Sequence, residues 1–182
     1  MGPCSDLATT RHRMAGSGRA RLARPGWVRP GRRLHLVDVE NLVGSGRPQA
    51  PDLAWCERTY RKLAITAPDD LVVVATNPFV VLDVGGAWPS CRLRIGHGPD
   101  GADRVLLRAL AEERIHQRFD QVVIASGDGI FVDPVVQLQR QGVQVTVVAR
   151  PSALSSRLRL AATRCIAFPP TPASDPAALT AA

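Results

Sequence analysis

The stretch ASGDGIF at residues 125 to 131 sets one carboxylate, Asp128, between two glycines directly after the apolar run QVVI. A second acid, Asp38, closes the run LHLV and is followed by Glu40 and Asn41, while HGPDGADRVLL places Asp100 and Asp103 at the opening of a helical pattern. Carboxylates gathered within a strand spacing of one another cannot all stay ionised without a counter-charge, so one takes a proton or a cation binds. Oxygen-only ligands select a hard cation, Mg²⁺ or Mn²⁺. Such a cation makes bound water a better nucleophile and neutralises charge on a phosphodiester. Asp38, Asp103 and Asp128 are therefore the candidate catalytic and metal-binding acids, provided that the strands ending at Asp38 and Asp128 are neighbours.

Each acid also has a plainer reading. Asp100 and Asp103 fit the N-cap and third position of a helix. Asp128 fits a D-G turn, Asp133 the first turn of a helix, Asn41 a turn, and Glu40 a side chain pointing to solvent. Asp38 is the least easily reduced in this way, because it ends an otherwise apolar strand.

The elements that must carry these residues follow from the apolar pattern. Strands are predicted at 34–39, 71–76, 91–96, 121–126, 143–148 and 165–168, mostly Val-rich and several apolar throughout, as in strands buried on both faces. Helices are predicted at about 52–66, 101–117, 131–141 and 152–163, with an irregular piece at 78–87. In the helix from Ala102, Val105, Leu106, Ala109, Leu110 and Ile115 form one face, with Arg108, Glu112 and Glu113 outward. The alternation predicts an α/β protein, a three-layer α/β/α arrangement with a mainly parallel sheet of five or six strands. Ligands in such sheets bind outside the carboxyl ends of the strands, where these acids lie.

The 182 residues suit one domain with tails. The formal charge of +7 sits entirely in residues 1–33, where eight arginines face one acid; the rest balances. Residues 1–32 are expected to be a basic, disordered arm, residues 33–168 the folded domain, and 169–182 a disordered tail. The arm is compatible with a grip on a polyanion, a solvated tail, or a translation start at Met14. The cysteines, at 4, 56, 91 and 165, show no CxxC pair or metal-ligand spacing, which points to a reducing cytoplasm. No apolar run approaches a membrane span, so no membrane partner is expected.

VDVENLVG, GADRVLLRAL and VVIASGDGIFVDPVVQLQRQGVQVTVVA, in that order and spacing, resemble the NYN domain, a branch of the PIN-like nucleases. The resemblance covers roughly residues 34–168 and is most specific in the SGDG turn and the GVQVTVV strand. It implies a PIN-like sheet between helices and an acidic Mg²⁺ or Mn²⁺ site that hydrolyses RNA. Position by position, it assigns the acids to Asp38, Asp103 and Asp128, with Asn41 beside the first and Ser126 in the last turn. Many relatives read SGDGDF, with a second acid where this chain has Ile130. Asp133, three residues on, is the remaining candidate ligand, nearly one helical turn away. Three acids suit one cation with waters better than a two-metal clamp.

Other residues complete the expectations. Arg157 and Arg159, with Arg92, Arg94 and Arg164, are candidates for contacting RNA, or else form a solvated face. His97 is a candidate proton donor or a loop histidine, and His35 and His116 are expected in a strand and on a helix surface. Trp55 and Phe131 are expected in the core, leaving Trp88 to stack on a base. GSGRPQ at 44–49 lacks the third glycine of a dinucleotide loop. A phosphohydrolase or phosphate-receiving domain would want a DxDxT-like turn or a late lysine, and Lys62 is the only lysine. The leading expectation is a metal-dependent endoribonuclease; the alternative is an RNA-binding or regulatory protein without cleavage. The oligomeric state is open, a homodimer included.

Overall fold

The structure, a computed structural model, describes residues 31–112 and 114–172. The predicted basic arm and tail fall mainly on residues 1–30 and 173–182, outside the described residues, as does Glu113. Six strands, β1 (Arg33–Asp38), β2 (Leu71–Thr76), β3 (Arg92–Ile95), β4 (Gln121–Ala125), β5 (Gln144–Ala149) and β6 (Arg164–Ala167), form one sheet in the order β3-β2-β1-β4-β5-β6. Every pairing is parallel. All six predicted strands are present, with ends shifted by a residue or two. The inner strands are buried while β3 and β6 lie at the edges with mostly exposed residues.

Alternation along the strands feeds two cores. On one face Leu34, Leu36, Val73, Val122, Ile124, Val145 and Val147 meet helices α4 (Gly101–Glu112), α5 (Ile115–Arg118), α6 (Val132–Arg140) and α7 (Ser156–Ala161). On the other, Val37, Val72, Val74, Val123 and Val148 meet α1 (Val39–Val43), α2 (Ala50–Ala64) and α3 (Val81–Ala87). Helices on both faces make the expected three-layer α/β/α arrangement. Trp88, Tyr60 and Leu106 are essentially inaccessible, and burying one such large side chain is worth about 1.5–3 kcal/mol.

Three elements differ from the predicted ones for local reasons. The helix expected over 101–117 is two, because Arg114 adopts left-handed φ of 44° and restarts the chain as α5. The irregular 78–87 piece contains α3, whose Gly85 and Gly86 hide its period in the sequence. A short helix, α1, follows β1 at once, because Asp38 serves as its N-cap and Gly44, at φ 83°, as its C-cap.

The chain runs outward from β1 through β2 to β3, then returns to β4 on the other side of β1. That reversal opens a crevice at the carboxyl ends of β1 and β4.

Candidate metal centre at the sheet switch point

The register pairs Val37 with Ala125, so Asp38 and Ser126 leave the sheet side by side. Asn41 ties the two strand ends together: its Oδ1 accepts a hydrogen bond from the Gly127 amide at 3.0 Å. Its carbonyl accepts one from Arg150 Nε at 2.9 Å. Ser126, fully buried, accepts the Asp128 amide on its hydroxyl at 3.3 Å. Asn41 and Ser126 thus shape the rim through their own hydrogen bonds.

Asp38 is 4% exposed and accepts the Asn41 amide at 3.0 Å. Asp103, in the first turn of α4, is 7% exposed and faces it. A close backbone approach brings α4 there: a Cβ on Gly96, just beyond β3, would overlap the backbone of Gly101 and Ala102. Asp128 is exposed and its carboxylate accepts the Ile130 amide of its own turn at 2.9 Å. Asp38, Glu40, Asp100, Asp103 and Asp128 line one cleft of about 270 Å³ together with Asn41 and Asn77. Its size suits an ion and a phosphate better than a larger organic ligand.

Burial pushes the Asp38 carboxyl up to about 7, with the nearby Asp103 and Glu40 charges adding to the effect. Burial likewise raises Asp103, to about 6, reinforced by the charge of Asp128. Like charges this close disfavour full ionisation, so the pair favours keeping one proton, which Asp38 holds to the higher pH. Asp103 Oδ1 is buried without any hydrogen-bond partner. A buried, unpaired carboxylate oxygen is costly, by about 1–3 kcal/mol, unless something outside the chain occupies its lone pairs. Among the described residues no arginine or lysine forms an ion pair with Asp38, Asp103 or Asp128.

Two carboxylates, one with a free buried oxygen, fit Mg²⁺ or Mn²⁺, since magnesium characteristically keeps several waters and takes one or two protein carboxylates. A larger all-protein cage is not assembled: among the described residues no three Asp, Glu, His or Cys side chains stand close enough to hold an ion between them. The site is a buried pair with Asp128 at its edge.

The other candidates lie elsewhere. Asp133 is exposed on the first turn of α6 and does not line the cleft. Arg157 and Arg159 are exposed on α7, and Arg159 borders a different groove with Cys165. His97 is exposed, and its carbonyl is held by Arg104 at 2.9 Å. Trp88 is buried at 1% exposure against Tyr60, so it offers no stacking surface, contrary to the sequence expectation. The glycines and proline of GGAWPS, which read as an irregular loop, masked that burial. Glu40 does not simply point to solvent: its carboxylate accepts the Asn77 amide at 2.6 Å and the Thr76 hydroxyl at 3.2 Å, fastening α1 to the end of β2. Asn77 itself was not singled out from the sequence, where only its place directly after an apolar strand marks it.

No curated protein matches the chain. Among solved structures it is similar to a protein of unknown function from Vibrio parahaemolyticus, at a TM-score of 0.52 and 21% identity, over 76% of this chain and 94% of the other. That likeness bears on the fold. The model of the NYN domain matches residues 94–169, a segment containing Asp103 and Asp128 and ending beside β6. Across that segment the chain is a match to the NYN domain, a PIN-like nuclease family.

Proposed function

We propose that the protein is a metal-dependent ribonuclease in which Asp38 and Asp103 hold Mg²⁺ or Mn²⁺ at the switch-point cleft. The observation that carries this reading is the buried Asp38–Asp103 pair with the unpaired Asp103 Oδ1, Asp103 lying within the family match. Bound there, the cation supplies Lewis acidity to a scissile RNA phosphodiester. Binding requires the pair to release its shared proton, so affinity rises with pH. Asp128, solvent-facing at the cleft edge, accepts a hydrogen bond from the attacking water. Asn41, whose Oδ1 accepts the Gly127 amide, and Ser126, whose hydroxyl accepts the Asp128 amide, hold Asp38 and Asp128 in register.

Purified protein is expected to cleave single-stranded RNA in Mn²⁺, and Asp38→Asn and Asp103→Asn to abolish cleavage while remaining folded. Absence of products, together with divalent-metal stabilisation that neither variant changes, would refute the reading. A second reading, RNA binding without hydrolysis, is favoured by one feature: Ile130, 42% exposed, stands where many relatives carry an acid. RNA retention in excess chelator together with intact RNA on a gel in saturating Mn²⁺ selects it.

A further inference from the structure

Of the four phenylalanines, Phe119, Phe131 and Phe168 are at most 2% exposed, whereas Phe79 is 77% exposed. It lies two residues beyond Asn77, which lines the acidic cleft. Two loops are fastened together at this point. Asn77 Nδ2 donates to the Gly46 carbonyl at 2.8 Å, and Asn77 Oδ1 accepts the Phe79 amide at 2.8 Å. The Arg47 amide donates to Ser45 Oγ at 3.1 Å. The result is that the Arg47 guanidinium sits over the Phe79 ring, 5.2 Å from its centroid. Glu40 grips the Asn77 amide from the cleft side, so the backbone that presents this pair is held by the same acid-bearing helix that borders the site.

An exposed aromatic ring backed by a planar cation is chemically suited to a flat, electron-rich partner. We propose that Phe79 and Arg47 form a stacking platform for one nucleobase of single-stranded RNA, next to the bond presented to the cleft. The choice of ligand rests on the ribonuclease reading above, because a phosphodiester seated among Asp38 and Asp103 brings an adjoining base to the cleft wall. A paired base is already stacked on both faces within its helix and cannot reach the ring, so the platform discriminates single strands from duplexes. The 77% exposure of Phe79 means that its replacement leaves the core untouched.

The test is fluorescence anisotropy of a labelled short single-stranded RNA, and of the same sequence as a blunt duplex, in excess EDTA so that no cleavage intervenes. Phe79→Ala is expected to weaken single-strand binding about 5- to 150-fold, the range for loss of one stacked base. Phe79→Trp is expected to retain it, Arg47→Ala to weaken it less than Phe79→Ala, and duplex binding to stay unchanged in all three. Single-strand affinity unaltered in Phe79→Ala, an equal loss on the duplex, or no single-strand binding by the wild type would each overturn the platform. Binding in EDTA is independent of hydrolysis, so Phe79-dependent affinity without cleavage in Mn²⁺ sinks only the nuclease reading. Cleavage with Phe79-independent affinity sinks only the platform.

Discussion

At the scale of single residues, the proposed chemistry rests on two carboxylates whose joint ionisation burial disfavours. Asp38 and Asp103 have folded-state pKa values of about 7 and about 6, raised above the ordinary 3.8 chiefly by burial. A carboxyl raised on folding contributes stability that is complete below its unfolded value and is lost as pH rises through its folded value. In the absence of divalent cations, the wild type is thus expected to lose stability relative to Asp38→Asn between about pH 4 and pH 7. Mn²⁺ is expected to restore the loss above pH 7 in the wild type and not in the variant. Urea midpoints of the two proteins across that range check this; a constant difference would show that no proton is shared. Asp128 plays a different part, since its carboxylate is occupied with the Ile130 amide and remains in solvent.

At the scale of elements, the site depends on how closely α4 can start to the sheet. Gly96 and Gly101 allow their backbones to touch, and that contact delivers Asp103 opposite Asp38. Gly96→Ala forces the two segments apart. It is expected to cost about 1–3 kcal/mol, as overpacking does, and to weaken the Mn²⁺-induced rise in Tm well beyond that loss. Gly86→Ala in α3 is the control: its Cβ meets nothing within 4 Å, so the better helix former is expected to be neutral or stabilising by up to about 1 kcal/mol. Thermal melts of both variants with and without Mn²⁺ separate the roles. If Gly96→Ala keeps the full metal response, the position of α4 does not set the site. The neighbouring ties have the same character. Glu40 fastens α1 to β2, and Asn41 fastens it to β4, so a helix of five residues braces both sides of the crevice.

At the scale of the whole molecule, a second titrating centre lies toward the opposite end of the sheet from the cleft. His35, early in β1 and fully buried, bonds the Tyr60 hydroxyl at 2.7 Å and Asp70 at 3.1 Å, and Asp70 also pairs with Arg33 at 2.7 Å. Burial lowers the His35 pKa from 6.5 to about 4. A depressed folded value contributes stability present above the unfolded pKa and lost as pH falls through the folded one. The Asp38→Asn/Asp103→Asn double variant, freed of both opposing carboxyls, is expected to lose about 3 kcal/mol between pH 6.5 and pH 4. Denaturant unfolding across that window measures it, and a flat profile would show that His35 is charged in the fold. No helix among the described residues is long and apolar enough to cross a membrane.

The six strands, their parallel sense and the acids at two strand exits were all legible in the sequence, because apolar runs, turn glycines and helical periods are local patterns imposed by burial. Asp38 and Asp128 could be named for the same reason: a charge ending an apolar strand stands out against its neighbours. Only the tertiary structure decided which acids meet. Strand order and the Gly96–Gly101 contact bring Asp103 to Asp38 and leave Asp133 outside, and no periodicity encodes the distance between separate elements. The same holds for aromatic exposure. Trp88 lies beneath α2 and Phe79 stands in solvent because α3, whose glycines conceal it in the sequence, turns one inward and carries the other on its approach loop.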